Sequence, residues 1–250
     1  MKVAAYQAPL LADGSTEALG LIRHQVVRCE AEGIEILCCP EGVLGGLADY
    51  VARPDAIALH CGDLNEVLAP LASDTVTTIV GFTETDPGGR LYNSAAVFHR
   101  GSVVGVYRKL HPAINKSVYS AGEAMPVFTV GGLTFGVIIC LDSTFAHPAS
   151  VMASRGATAL FIPTNNGLPI KRADPGIIDD ARRFDIARAT ENRMCVIRAD
   201  VAGQSDDLLS YGSSGVVDCG GRVLATARRL SADLVVADID VAPRTSRTLE

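Results

Sequence analysis

The stretch IEILCCPE, Ile34 to Glu41, is a short and nearly continuous apolar run that closes on a proline and a carboxylate. A strand with one wet face alternates apolar and polar residues, so an unbroken run of this length predicts a strand buried on both faces. Just upstream, about Ser15 to Ala31 has helical character, with Ser15 as the cap residue and Gly33 as the stop. Before that helix, KVAAYQAP (Lys2 to Pro9) is another strand. Strand, helix and buried strand in succession set the pattern for an α/β protein.

The rest of the chain continues it. A short helix is expected near Leu64 to Leu71, then TTIVGFTET as a strand. LYNSAAVFHRG and VVGVYRKLH are separated by Gly101-Ser102, and VFTV and LTFGVIIC by Gly131-Gly132; both are tight hairpin signals. A helix near His147 to Arg155 precedes the strand ATALFIPTNN. The clearest helix is IIDDARRFDIARATENRM, with Ile177, Ala181, Phe184, Ala187 and Glu191 near one face and an Asp179–Arg183 pair at i,i+4. CVIRADVAG, SGVVDCGGRVLATA with its Gly220-Gly221 hairpin, and ADLVVADID complete the strands. Helices and hairpins together predict mixed sheets, and no repeat or linker divides residues 1–250, which read as one domain.

Composition narrows the function classes. Of 250 residues, 48% are hydrophobic and 20% charged, which supplies ample core material. A formal charge of −6 with no basic cluster argues against nucleic acid as partner. No apolar run approaches the roughly 20 residues a bilayer requires, and MKVAAYQAP lacks a signal-peptide core, so no membrane partner is expected. Seven cysteines without CxxC spacing favour reduced thiols in a cytoplasmic protein, and the five histidines form no zinc pattern with them.

Three polar residues stand at the ends of apolar strands, where ligands gather in α/β folds: Glu41 after IEILCCP, Lys109 after VVGVYR, and Cys140 after VII. Each alone has an ordinary structural explanation. Together, and with VAAYQAP, CPEGVLGG, YNSAAVFHRGSVVGVYRKLHP, AGEAMPVFTVGGLTFGVIICLDSTF, ALFIPTNN, RATENRMCVIRADVAG and YGSSGVVDCGGRV in that order, they resemble the nitrilase, or carbon–nitrogen hydrolase, superfamily.

The resemblance implies a four-layer α-β-β-α sandwich with two mixed β-sheets, and pairing of copies through outer helices into a homodimer or a larger homo-oligomer. It also implies that Glu41, Lys109 and Cys140 form a Glu-Lys-Cys triad. A thiol of ordinary pKa needs a base, which Glu41 provides, and a carbonyl under attack needs positive charge, which Lys109 and the backbone N–H of Leu141 provide. Tyr119, Asn165 and Asn166 are substrate-wall candidates; for the two asparagines, a simple turn is the competing explanation. Glu191 and Asn192 are assigned structural roles. The expected partners are a small amide or nitrile and water, with no metal or organic cofactor required.

Two departures from the pattern matter. Many members carry a second glutamate in the loop between the lysine and the cysteine, where this chain has Asn115 and Lys116. Relatives that act on carbamoyl amino acids or ω-amides place an arginine shortly after the cysteine, where this chain has Leu141 to Phe145. Without it, a carboxylate-tailed substrate needs Lys116, Lys171 or Arg172 instead. The leading expectation is a hydrolase of small amides. A true nitrilase and a catalytically impaired binding or regulatory member are the alternatives. A papain-like or redox thiol would need a resolving cysteine or a histidine partner near Cys140, and His147 is the only histidine nearby in sequence.

Overall fold

The structure, a computed structural model, describes residues 1–12, 14–113, 115–205 and 207–240. The chain opens with β1 (Lys2–Pro9), α1 (Glu17–Glu32), β2 (Ile36–Cys38), β3 (Leu59–His60) and α2 (Leu64–Leu68). There follow β4 (Thr77–Thr85), β5 (Leu91–His99), β6 (Ser102–Arg108), β7 (Val127–Val130), β8 (Leu133–Val137) and α3 (Ala146–Ser154). Next come β9 (Ala159–Pro163), β10 (Leu168–Pro169), α4 (Ile177–Asn192), β11 (Cys195–Ala199) and β12 (Val201–Ser205). The last are β13 (Leu208–Ser210), β14 (Gly215–Val217), β15 (Val223–Thr226) and β16 (Asp233–Asp238).

Two mixed sheets result. One runs β10-β13-β12-β1-β2-β4-β5-β6, with β16 also on β1 and β3 also on β4; the other runs β15-β14-β11-β9-β8-β7. The strands joined through helices, β1 with β2 and β8 with β9, pair in parallel, and the hairpins β4–β5–β6 and β7–β8 pair antiparallel.

Side-chain alternation explains the layering. Val3, Ala5, Ile36 and Cys38 point into an apolar cluster shared with Phe135, Val137 and Phe161 of the second sheet. Their neighbours Ala4, Tyr6, Leu37 and Cys39 point the opposite way, against Ile22 and Val26 of α1 and Leu64 and Leu68 of α2. On the far side, Ala149 and Met152 of α3 and Ala189 of α4 cover the second sheet. The order is therefore α-β-β-α. Both faces of IEILCCPE are apolar because both are covered, and each fully buried Ile or Leu there is worth about 1.5–3 kcal/mol.

Local signals hold with small shifts. Gly33 takes φ 67, and the bonds Gly33 N–H to Glu30 O (3.3 Å) and Ile34 N–H to Cys29 O (2.9 Å) close α1. Ser15 lies one place before the cap residue Thr16, and its hydroxyl accepts the Glu17 N–H at 3.3 Å. The β5–β6 turn is Arg100-Gly101, both with positive φ, one residue earlier than Gly101-Ser102.

Three readings are corrected. CVIRADVAG is two strands: β11 ends in the second sheet, and after Asp200 the chain enters the first as β12. In α4, Arg183 pairs with Asp180 at 3.0 Å rather than with Asp179. The inward face of α4 is Ala181, Asp185, Arg188, Ala189 and Asn192, while Glu191 is exposed and pairs with Arg188 at 3.0 Å. That face is polar because it carries an ion pair to β11, so apolar periodicity alone misplaces it.

Candidate active site

Two of the three strand-end residues are held by a close backbone approach and the third by a strained turn. Glu41 follows β2, and its N–H reaches Thr164 O at 3.3 Å, across to the end of β9. Gly81 of β4 makes room for it: a Cβ there would lie 2.3 Å from Pro40 O and 2.8 Å from the Glu41 Cα. Lys109 follows β6; its N–H donates to Asn93 O and its carbonyl accepts the Gly122 N–H, both at 2.8 Å. Gly122 is needed for that contact, since a Cβ would meet Arg108 O at 2.3 Å. Cys140 follows β8 with φ 44, a left-handed conformation rarely taken by a residue with a side chain, and opens the 3-10 turn Cys140–Thr144.

One buried carboxylate fixes that strained turn. Asp142 Oδ2 accepts the Tyr107 hydroxyl at 2.7 Å and the Ile139 N–H at 3.3 Å, and Oδ1 accepts the His111 N–H at 2.9 Å. The cysteine turn is thus tied to the residues flanking Lys109. Ser143 Oγ donates to Cys140 O at 2.7 Å and accepts from Arg198 Nη2 at 2.9 Å, linking the same turn to β11.

Glu41 and Lys109 are almost wholly buried, 2% and 3% exposed, and Lys109 Nζ donates to Glu41 Oε1 at 2.6 Å. Asn93 Nδ2 donates to the same oxygen at 2.7 Å, while Oε2 accepts the Asn165 backbone N–H at 3.0 Å. With one donor among the described residues, Oε2 keeps a lone pair. Burial works against the Lys109 ammonium, but the Glu41 carboxylate and then Cys140 outweigh it, so its pKa is raised and it stays charged. The Cys140 thiol is pushed up to about 12, first by burial and then by the negative charge of Glu41, with Lys109 and Arg198 opposing. At neutral pH it is a thiol in the field of the Glu41 carboxylate, not a standing thiolate. Among the described residues the Leu141 N–H donates to no protein acceptor.

The other sequence candidates divide. Asn165 supplies its backbone N–H to Glu41, and its side-chain oxygen accepts the Gly167 N–H at 2.9 Å. Asn166 is bound away: its N–H and Nδ2 donate to Asp200 at 3.0 and 2.9 Å. Tyr119 is buried with its hydroxyl on the Ala48 N–H (2.6 Å) and Thr83 (2.7 Å). Asn115 and Lys116 are exposed, as are Lys171 and Arg172. Sequence reasoning overlooked Asn93, Asp142 and the Asp185–Arg198 pair. A polar Asn93 inside the apolar strand β5 is a signal that could have found the first, and the two-residue spacing from Cys140 the second.

Cys29, Cys38, Cys39 and Cys195 are buried and Cys61 and Cys219 exposed; all seven thiols are free. Among the described residues no cluster of three His, Cys, Asp or Glu is placed to hold a metal ion, and no helix is long and apolar enough to cross a membrane.

Comparison with known proteins identifies the family. The model of the carbon-nitrogen hydrolase family matches residues 2–246, and the chain belongs to that family, a hydrolase of the nitrilase superfamily. It is 32% identical over 182 residues to a nitrilase of Pyrococcus abyssi, covering 72% of this chain and 66% of that one. Over 251 residues it is 34% identical to a citrullinase of Francisella tularensis, covering 92% and 86% respectively. Glutamine-dependent NAD(+) synthetases also match, and the chain spans only 37% to 38% of the length of those from Thermotoga maritima and Xylella fastidiosa. A cysteine variant of the Nesterenkonia AN1 amidase shares the fold, with a TM-score of 0.79 at 22% identity, covering 95% of this chain and 90% of that one.

Proposed function

Starting from membership of the carbon–nitrogen hydrolase family, we propose that this chain hydrolyses a non-peptide C–N bond of a small amide through a thioester on Cys140. The observation that carries it is the Glu41 carboxylate, held by Lys109, Asn93 and Asn165 with one lone pair open, while its charge and that of Lys109 both act on the Cys140 thiol.

In the first half-reaction Glu41 takes the thiol proton and the sulfur adds to the carbonyl carbon. The negative charge that develops on the carbonyl oxygen is met by Lys109 Nζ and the Leu141 N–H, at about 3 kcal/mol per donor. Protonated Glu41 then gives its proton to the nitrogen, the C–N bond breaks, and ammonia or an amine leaves. In the second half-reaction Glu41 takes a proton from water as the oxygen adds to the thioester. The C–S bond breaks, the acid is released and the thiol is restored. Residues 1–250 act in this scheme as one catalytic domain, and copies pair through their outer helices; a sedimentation run showing only monomer at micromolar concentration would remove the pairing.

The test is intact-protein mass spectrometry with a panel of small amides, ureido compounds and nitriles, with ammonia release followed alongside. An acyl adduct and ammonia from the wild type, both lost in Cys140→Ala, are expected. A panel without turnover, together with a thiol probe that shows no preference for Cys140 over the six other cysteines, would turn the assignment to a binding member of the family.

A further inference from the structure

We propose, building on the amide-hydrolase assignment above, that Asn93 Oδ1 accepts an N–H from the substrate's departing nitrogen. The site is then selective for carbonyl substrates bearing an –NH2 group, amides and ureido compounds, over nitriles and esters. Asn93 lies on β5 and is 4% exposed. Its Nδ2 donates to Glu41 Oε1 at 2.7 Å, and its backbone oxygen accepts the Lys109 N–H at 2.8 Å. Its side-chain oxygen is buried and has no hydrogen-bond partner among the described residues.

The orientation of that amide is dictated by its neighbour. An ionised carboxylate only accepts hydrogen bonds, so Asn93 must turn its N–H2 towards Glu41 and its carbonyl away from it. A buried carbonyl without a donor is costly, and buried polar side chains are nearly always satisfied. Oδ1 and Nδ2 share one carbon, so a donor that reaches Oδ1 lies beside the carboxylate.

The departing nitrogen has to be there. It receives its proton from Glu41 while the C–N bond breaks, and it still carries N–H groups of its own that need an acceptor. An N–H bonded to Asn93 Oδ1 would turn the nitrogen's lone pair towards the Glu41 proton. A nitrile nitrogen carries no hydrogen, and neither does the alkoxy oxygen of an ester, so neither can make this contact.

The experiment compares kcat/KM for a primary amide and for the N,N-dimethylamide of the same acyl group, in wild type and Asn93→Ala, with iodoacetamide labelling of Cys140 as the check that the site is assembled. Both substrates pass through the same thioester, and both departing nitrogens need the proton from Glu41. Losing the hold on Glu41 therefore lowers both rates; losing the acceptor lowers only the rate of the primary amide, whose nitrogen carries an N–H. The expected result is a fall for the primary amide about 10- to 100-fold larger than the fall for the dimethylamide, as suits one buried hydrogen bond. Asn93→Val, which suits a strand and carries no acceptor, gives the same comparison if the alanine variant does not fold. Equal losses on the two substrates would overturn the role of Asn93 while leaving the amide-hydrolase assignment intact. A wild type that turns over nitriles but not amides would overturn both.

Discussion

The protein contains two buried carboxylate–cation pairs at the same distance, and they are built to opposite ends. Arg198 Nη2 meets Asp185 Oδ1 and Lys109 Nζ meets Glu41 Oε1, each at 2.6 Å. Around Asp185 every direction is filled. Arg198 Nε reaches both oxygens at 3.0 and 3.1 Å, Arg182 Nη1 adds a bond at 3.3 Å, and Arg198 Nη1 donates to Thr164 while Nη2 donates also to Ser143. The flat guanidinium fork suits such saturation. Around Glu41 the cation is a lysine, a point charge with three donors of which one is used within the described residues. One oxygen of the carboxylate also keeps a lone pair. A closed pair holds strands and turns in place, whereas an open one has protons and charge left to give.

Breaking the open pair should produce the largest effect and leave the fold standing. Glu41→Gln removes the proposed base, so kcat should fall by about 1000-fold or more; the glutamine oxygen can still accept from Lys109, but the buried ammonium loses its counter-charge, so the urea midpoint should also fall without the protein unfolding. The sign of a second effect follows from the causes at Cys140. Burial and then the Glu41 charge raise its pKa while Lys109 lowers it, so in Glu41→Gln it should drop below the wild-type value of about 12. The pH profile of iodoacetamide labelling would then move to lower pH while turnover disappears. A profile that stays put would mean that the two groups do not sense each other.

Breaking the closed pair should reverse the balance. Asp185→Ala leaves Arg198 buried and unpaired, and about 3–5 kcal/mol of stability should be lost in urea titration. Loss of activity would follow from unfolding, and protein that remains folded should still label at Cys140. If Asp185→Ala instead abolished turnover with stability unchanged, the division between the two pairs would be wrong.

A comparable cost in stability, reached without breaking either pair, is expected at the wall between backbone segments. In Gly81→Ala the added methyl would lie 2.3 Å from Pro40 O and 2.8 Å from the Glu41 Cα, so backbone has to move, at roughly 3 kcal/mol. Because the pressure falls on the segment that carries the base, kcat should fall with KM nearly unchanged. A rise in KM alone would mean that the strain is relieved towards the substrate side.

Sequence and structure agree most where one physical cause acts alone. Ile36 and Leu37 are fixed as buried by covered faces on both sides, and Glu41, Lys109 and Cys140 stand out as polar residues at apolar strand ends. Legibility fails where two causes compete. Asp200 interrupts an otherwise continuous run, but only the strand pairings show that the chain changes sheets there, with its carboxylate accepting the N–H groups of Asn166 and Ser213. The inward face of α4 is hidden because Asp185 and Arg188 count as surface residues in any apolar pattern, although both are buried. Asn93 reads as a weak spot in a strand until the partners of Glu41 are known.

The bond from the Asn165 N–H to Glu41 spans 124 residues, and the one from Lys109 spans 68. Contacts so distant along the chain form late, after loops are closed and sheets are docked, in a topology that folds slowly. A partly made or half-folded chain therefore holds Cys140 apart from Glu41. On the proposed mechanism reactivity is acquired only at the last stage of assembly, and turnover would itself report that every layer has come together.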